Sequence, residues 1–270
     1  MARTLRVMEA AFFDLDKTVI AKASMVAFGK PLYRAGLVSR WLVLRALWGQ
    51  LVYLQLGHSE AQMERSRAAV LRLTKGWDQA KVSEIVRDAI DEVIEPIVYE
   101  EALALIRLHR NAGRRVFIVS ASPIEVVAPL AAYLQVDDAI ATRARIDAEG
   151  RYTGEVEFSS HGANKVIAME QLAERYDLDL SRSWAYSDSG TDLPMLEAVG
   201  HPVAVNPDRD LRRAAIEREW EILSFALEVP LRSRVSMPSA SQTVAGAAGL
   251  AGIGAGLAAW WFLRRPRNQR

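Results

Sequence analysis

Short, almost wholly apolar runs recur along the chain, and each ends in polar or acidic residues. Glu9 to Asp16, Arg114 to Ser120, Ser183 to Asp188 and Pro202 to Asn206 all follow this pattern. Runs this short, without polar alternation, predict strands buried on both faces. Between them apolar positions recur at helical spacing over Tyr99–Asn111, Pro123–Leu134, Lys165–Tyr176 and Thr191–Val199. Strands alternating with helices predict an α/β fold: a doubly wound parallel sheet covered on both sides. Ala141–Phe158 breaks the rhythm. Its alternating segments around Glu149-Gly150 predict a β-ribbon.

The interval from Asp16 to Ser120 is too long for one crossover, which needs about 30 residues. The Tyr99–Asn111 helix can supply that crossover, leaving roughly Ala21 to Glu95 over. This stretch is helical in pattern, as in Met63–Leu73 and Val82–Val93. It predicts a helical cap inserted after the first strand, with the apolar Trp41–Leu56 packed inside it. The expected layout is a core over residues 1–20 and 96–228, a cap over 21–95, a linker over 229–242, and an apolar helix over 243–263.

That last segment, Thr243–Leu263, has no charge and is followed by Arg264 and Arg265. It is long enough to span a bilayer, and Trp260 and Trp261 fall where an interfacial belt would lie. The charges Glu9, Asp14 and Asp16 interrupt the N-terminal apolar stretch, which does not read as a signal peptide. The expectation is a cell-membrane protein with one C-terminal anchor and a cytoplasmic catalytic domain. Arg264, Arg265, Arg267 and Arg270 pull against that orientation. A segment lying in the interface is the alternative.

Composition narrows the chemistry. The net charge is +1, so nothing favours nucleic acid as a partner. The absence of cysteine removes disulfides, thiol nucleophiles and Cys-type zinc sites. His58, His109, His161 and His201 show no helical ligand spacing such as H-E-x-x-H.

The strand ends carry the remaining candidates. Asp14 and Asp16 are two apart, so in an extended chain both point the same way and call for a cation. All-oxygen ligands suit Mg²⁺. Asp188 and Asp192 follow another apolar run, Ser120 and Ser122 a third, and Lys165 opens a helix. The carboxyl ends of strands in an open α/β sheet share one crevice, which would gather these residues. The set fits phosphoryl transfer: a carboxylate to attack phosphorus, and positive charge and donors around the transferring oxygens. Lys165 and Mg²⁺ would supply charge. Thr18, Ser120 and nearby backbone N–H groups, including that of Ala121, would donate hydrogen bonds. Asp16 is placed to protonate the leaving oxygen and then activate water.

Phe13-Asp-Leu-Asp-Lys-Thr18, Val119-Ser-Ala-Ser122, Lys165 and Ser187-Asp-Ser-Gly-Thr-Asp192 resemble, in order, the four motifs of the haloacid dehalogenase superfamily. The insertion after the first motif resembles the subfamily that includes phosphoserine phosphatases. The resemblance covers about residues 8 to 226. It implies Asp14 as nucleophile and Asp16 as acid/base. It also implies Mg²⁺ held by Asp14, Asp188 and the Asp16 carbonyl, with Asp192 as a supporting carboxylate. Phosphoserine phosphatases carry a glutamate nine residues after the nucleophile, where this chain has Ala23. Their cap arginine falls on Val70, with Arg67 and Arg72 close by in sequence. Lys17 also stands where those enzymes usually have a small residue.

The expected activity is therefore Mg²⁺-dependent phosphomonoester hydrolysis through an aspartyl-phosphate. The apolar cap and tail suggest a membrane-linked substrate such as a lysophospholipid phosphate. Two alternatives stay open: a phosphoserine phosphatase with altered contacts, and a non-catalytic membrane-tethered regulator.

Overall fold

The computed structural model describes residues 8–38 and 72–226. Strand β1 (Ala10–Phe13) leads into two short helices, α1 (Ser24–Ala27) and α2 (Gly29–Arg34). Next among the described elements are α3 (Gln79–Ile94), α4 (Glu100–Asn111), β2 (Arg115–Pro123), α5 (Ile124–Tyr133), β3 (Asp138–Ile146) and β4 (Tyr152–Phe158). The order closes with α6 (Ala163–Tyr176), β5 (Trp184–Ser187), α7 (Leu193–Glu197), β6 (His201–Val205), α8 (Arg209–Glu217) and β7 (Glu221–Leu223).

The seven described strands form one sheet in the order β4-β3-β2-β1-β5-β6-β7. All its pairings are parallel except β3 with β4. Every residue of β1 is fully buried, as its apolar sequence demands at the centre of a sheet covered twice. Its side chains alternate between the two faces. Ala11 and Phe13 join Val116, Ile118 and Tyr186 in a core that also takes in Ala102 and Ile106 of α4, Val126 and Leu130 of α5, and Val86 and Ile94 of α3. Ala10 and Phe12 join Phe117, Val119 and Ala185 in a second core with Met169 of α6, Met195 of α7 and Leu211 of α8. Burying a side chain such as Phe12 or Phe13 contributes about 1.5–3 kcal/mol.

The four expected strands and the Glu149-Gly150 ribbon are all present. The ribbon does not leave the sheet, however. Its first strand, β3, pairs in parallel with β2 as well as antiparallel with β4, so it carries the sheet to one edge. The helix expected over Thr191–Val199 is shorter. Gly190–Asp192 forms a 3₁₀ turn, and the α-helix runs from Leu193, with Pro194 in its first turn, where a missing N–H is no loss. Helix α8 and strand β7 were not foreseen, although Asp208 is a good N-cap and accepts from Leu211 N at 2.8 Å. Gly200 has a steric reason: a Cβ there would lie 1.7 Å from the Ser181 carbonyl oxygen.

Within 21–95, residues 24–34 and 79–94 are helical as expected. They share a hydrophobic core with one face of the sheet, through Phe28, Leu32, Val86 and Ile94. Trp41–Leu56, Arg67, Val70 and the segments 229–242 and 243–263 lie outside the described residues. Among the described residues no helix is long and apolar enough to cross a membrane.

Candidate active site

Strand β1 is flanked by β2 on one side and β5 on the other, and the three run parallel. Their carboxyl ends therefore deliver Asp14, Ser120 to Ser122, and Asp188 to one edge. The sheet's connections diverge on either side of β1, where open α/β sheets form their crevice. Asp14 N donates to Tyr186 O at 2.9 Å, which continues the β1–β5 pairing one residue beyond the strand.

Asp14 is the centre of a buried charge cluster. Lys165, in the first turn of α6, donates from Nζ to Asp14 Oδ1 and to Asp192 Oδ2, each at 2.7 Å. Asp192 Oδ2 also accepts from Ser187 Oγ at 2.7 Å. Lys165 is 2 % exposed, Asp192 3 %, Asp14 7 % and Asp188 8 %. Three buried carboxyl groups thus face one ammonium, so acidic groups outnumber the basic one.

The electrostatics follow from that burial. Burial pushes the Asp14 carboxyl up; Lys165 opposes the shift, and Asp192 and Asp188 add to it. Burial acts to lower the Lys165 pKa, but Asp14 and Asp192 outweigh it and hold the ammonium charged. Burial lifts Asp188 to about 6, with Lys17 opposing and Asp192 and Asp208 reinforcing.

Asp16 belongs to a different network. The strand ends at Phe13, and the chain reverses at Lys17, which has a φ of 64° and donates from N to Ile20 O at 2.6 Å. Asp14 and Asp16 thus stand just past the end of β1 rather than on the strand itself. Asp16 Oδ1 accepts from Ser24 N at 2.8 Å and Oδ2 from Ser122 Oγ at 3.0 Å.

The other expected donors are close by in the fold. Ser120 Oγ accepts from Ser122 N at 3.1 Å, in the last residues of β2, where its register with β3 shifts. Ala121 is fixed through its carbonyl, which accepts from Thr142 Oγ1 at 2.8 Å. Thr18 is fully buried, and its Oγ1 finds no hydrogen-bond partner among the described residues.

Several contributors carried no motif in the sequence. Asp208 accepts from Ser189 Oγ at 3.2 Å and Gly190 N at 2.9 Å, and its N donates to Asp188 O at 2.7 Å, which pins the loop holding Asp188. Ser187 was visible only as part of a motif, and Ser24 and Thr142 gave no signal at all. The Ser24 and Thr142 hydroxyls meet partners far away in sequence, Ser122 and the Ala121 carbonyl.

The residues present fit a hard divalent cation. Lys165 takes one oxygen of Asp14, and no hydrogen bond to the other is found among the described residues. No described side chain hydrogen-bonds to Asp188. Among the described residues no group of three or more His, Asp or Glu side chains forms a metal cluster. The implied set needs only two, Asp14 and Asp188, with the Asp16 carbonyl as a third oxygen.

A mostly parallel α/β sheet with a buried aspartate-lysine-aspartate cluster at its carboxyl edge has the architecture of α/β enzymes whose site is the crevice at that edge. The chain belongs to the haloacid dehalogenase-like hydrolases, whose family model matches residues 11–197. It is 49 % identical over 263 residues to the "inhibition of morphological differentiation protein" of Streptomyces azureus, covering 96 % of this chain and 95 % of that protein. It is 35 % identical over 248 residues to a phosphoserine phosphatase of Mycobacterium tuberculosis, covering 90 % and 79 %. A crystal structure of a Bordetella pertussis protein of unknown function superposes with a TM-score of 0.69 at 30 % identity, covering 80 % of this chain and 98 % of that one. The chain is thus a phosphatase of this superfamily, phosphoserine phosphatase-like in kind, and the non-catalytic alternative falls away.

Proposed function

We propose that this phosphatase hydrolyses phosphomonoesters in two steps with Asp14 as nucleophile and Mg²⁺ as cofactor. The observation that carries this reading is the double contact of Lys165 with Asp14 and Asp192 at 2.7 Å, beside a buried Asp188. Lys165 aims one oxygen of Asp14 and leaves the other free. An Asp14 oxygen attacks phosphorus, the ester P–O bond breaks, and Asp16 gives its proton to the departing alkoxide. Water then attacks the phosphorus of the Asp14 acyl-phosphate, Asp16 takes a proton from that water, and inorganic phosphate leaves. Asp14, Asp188 and the Asp16 carbonyl would hold Mg²⁺, which screens the phosphoryl oxygens and favours the ionised Asp14 that burial opposes. Lys165 adds fixed positive charge, and Asp192 holds Lys165. The Thr18 hydroxyl, Ser120 and the Ala121 N–H would receive phosphoryl oxygens, and a phosphate would satisfy the unpartnered Thr18 Oγ1.

The substrate on this reading is not phosphoserine. Ala23 directly precedes Ser24, whose N–H contacts Asp16, so position 23 sits next to the reacting group and offers no charge to an amino-acid substrate. The apolar Trp41–Leu56 and Thr243–Leu263 favour a membrane-linked phosphomonoester such as a lysophospholipid phosphate. In this layout 21–95 is the cap and 243–263 the anchor, with the catalytic domain cytoplasmic. The mycobacterial relative supports a second reading, phosphoserine hydrolysis with altered contacts.

A panel of phosphomonoesters assayed with and without Mg²⁺ tests this. Turnover should require Mg²⁺, with phosphoserine a poor substrate. Phosphoserine kcat/KM above about 10⁴ M⁻¹s⁻¹ would establish the second reading. Turnover in a metal-free, chelator-treated sample would remove Mg²⁺ from the mechanism.

A further inference from the structure

Ser24 and Ser122 come from parts of the chain far apart in sequence, and both are buried, at 0 % and 7 % exposure. Ser24 opens α1, directly after the loop that follows Asp16. Ser122 lies near the end of β2. Their hydroxyl oxygens are 2.8 Å apart. Ser122 Oγ also lies 3.0 Å from Asp16 Oδ2.

The proton count fixes the direction of this chain. A serine hydroxyl has one proton to donate. In its ionised form the Asp16 carboxylate can only accept, so the Ser122 proton goes to Asp16 Oδ2. The Ser24 hydroxyl must then be the donor to Ser122. The backbone N–H of the same Ser24 donates to the other carboxylate oxygen, Oδ1, at 2.8 Å. Ser24 therefore reaches Asp16 twice, directly by its backbone and through Ser122 by its side chain.

A carboxylate on a single Cβ turns freely about its last bond. Bonds to both oxygens from two separate elements stop that rotation and fix the carboxylate plane. We propose that Ser24 and Ser122 are positioning residues whose relay Ser24 Oγ–H to Ser122 Oγ–H to Asp16 Oδ2 holds the acid/base carboxylate at the angle needed to reach the leaving oxygen. This rests on the reading of Asp16 as the acid. Each Asp16 oxygen keeps a second lone-pair position, so the transferred proton has a seat while both bonds persist. The relay also ties the entry of the segment after β1 to the end of β2. The angle of the Asp16 carboxylate is thus set jointly by α1 and β2.

The test separates proton transfer from structure by the leaving group. p-Nitrophenolate departs without a proton, whereas the alkoxide of glycerol 2-phosphate needs one. Single-turnover release of each leaving group, with enzyme in excess and Mg²⁺ present, reads the first step alone. Misplacing a general acid should cost about tenfold or more of its contribution. Ser122→Ala should therefore slow glycerol release at least about tenfold and p-nitrophenol release less than about threefold. Ser24→Ala, which keeps the backbone bond, should show a smaller loss of the same selectivity, and Ser122→Thr should restore the rate. Should Ser122→Ala not fold, Ser24→Ala carries the test. Equal losses on both substrates, or no loss on either, would overturn the positioning role. Asp16→Asn is the reference: if it lacks the leaving-group selectivity, the acid assignment itself fails, a result distinct from failure of the relay alone.

Discussion

The two faces of the central strands bury titratable groups in opposite ways. On one face, Phe13 stacks on Tyr186 at 4.3 Å, and the Tyr186 hydroxyl meets His109 Nε2 at 2.9 Å. Burial, with Arg114 adding, lowers His109 to about 4, so the ring is neutral in the fold. Burial, with Glu221 adding and Arg114 opposing, raises Tyr186, which stays neutral too. One residue along each strand, Asp14 and Ser187 turn to the charged cluster with Lys165 and Asp192. A protein interior accepts polar groups either neutral and hydrogen-bonded or charged and paired. The first arrangement only stabilises. The second keeps charged groups in a dry place, where, on the proposed mechanism, they would act on a phosphoryl group.

Breaking the charged cluster should have the largest effect. Lys165→Met leaves Asp14 and Asp192 buried without their cation. Urea unfolding of the metal-free protein should show a loss of about 3–5 kcal/mol. Turnover should fall by about 10²-fold or more. A variant as stable and active as the parent would mean that the cluster is not a paired one.

The neutral face should respond to pH instead. The folded pKa of His109, about 4, lies below its ordinary 6.5, so between those values the unfolded chain binds a proton that the folded one refuses. Stability is therefore full above about pH 6.5 and is lost as pH falls toward 4, by up to about 3 kcal/mol at 1.36 kcal/mol per unit. His109→Gln should flatten this slope in unfolding measured from pH 7 to pH 4.5. An unchanged slope would place the titration elsewhere.

The smallest effect belongs to a single hydrogen bond. Ser187→Ala removes one donor from Asp192 but leaves Lys165 in place, which should cost about 1.5–3 kcal/mol. Thermal unfolding checks it, and a loss as large as that of Lys165→Met would show that the hydroxyl, not the ammonium, holds Asp192.

The sheet was legible because each core strand is a short apolar run ending in a polar turn, with Asp14 and Asp188 just past two of those ends, Asp192 in the turn that follows and Lys165 at the start of a helix. Their convergence follows from parallel topology alone. The orientation of Asp16 was not legible. It depends on where β1 stops and on the turn at Lys17, and no pattern of apolar positions encodes either. Ser24, Thr142 and Asp208 were invisible for a related reason. Each is a common polar residue whose role comes from a partner 18 to 98 residues away. Helix α8 was within reach, because Asp208 caps it and Leu211, Ala214 and Ala215 mark its buried face.

The account stands on Asp14 carrying the phosphoryl group. Protein quenched in acid during turnover of p-nitrophenyl phosphate with Mg²⁺, then reduced with borohydride, converts an aspartyl-phosphate to homoserine. Peptide mapping should find homoserine at position 14 and at no other aspartate, and none in Asp14→Asn. Homoserine at another position, or its absence from position 14 under conditions of full turnover, would contradict the assignment.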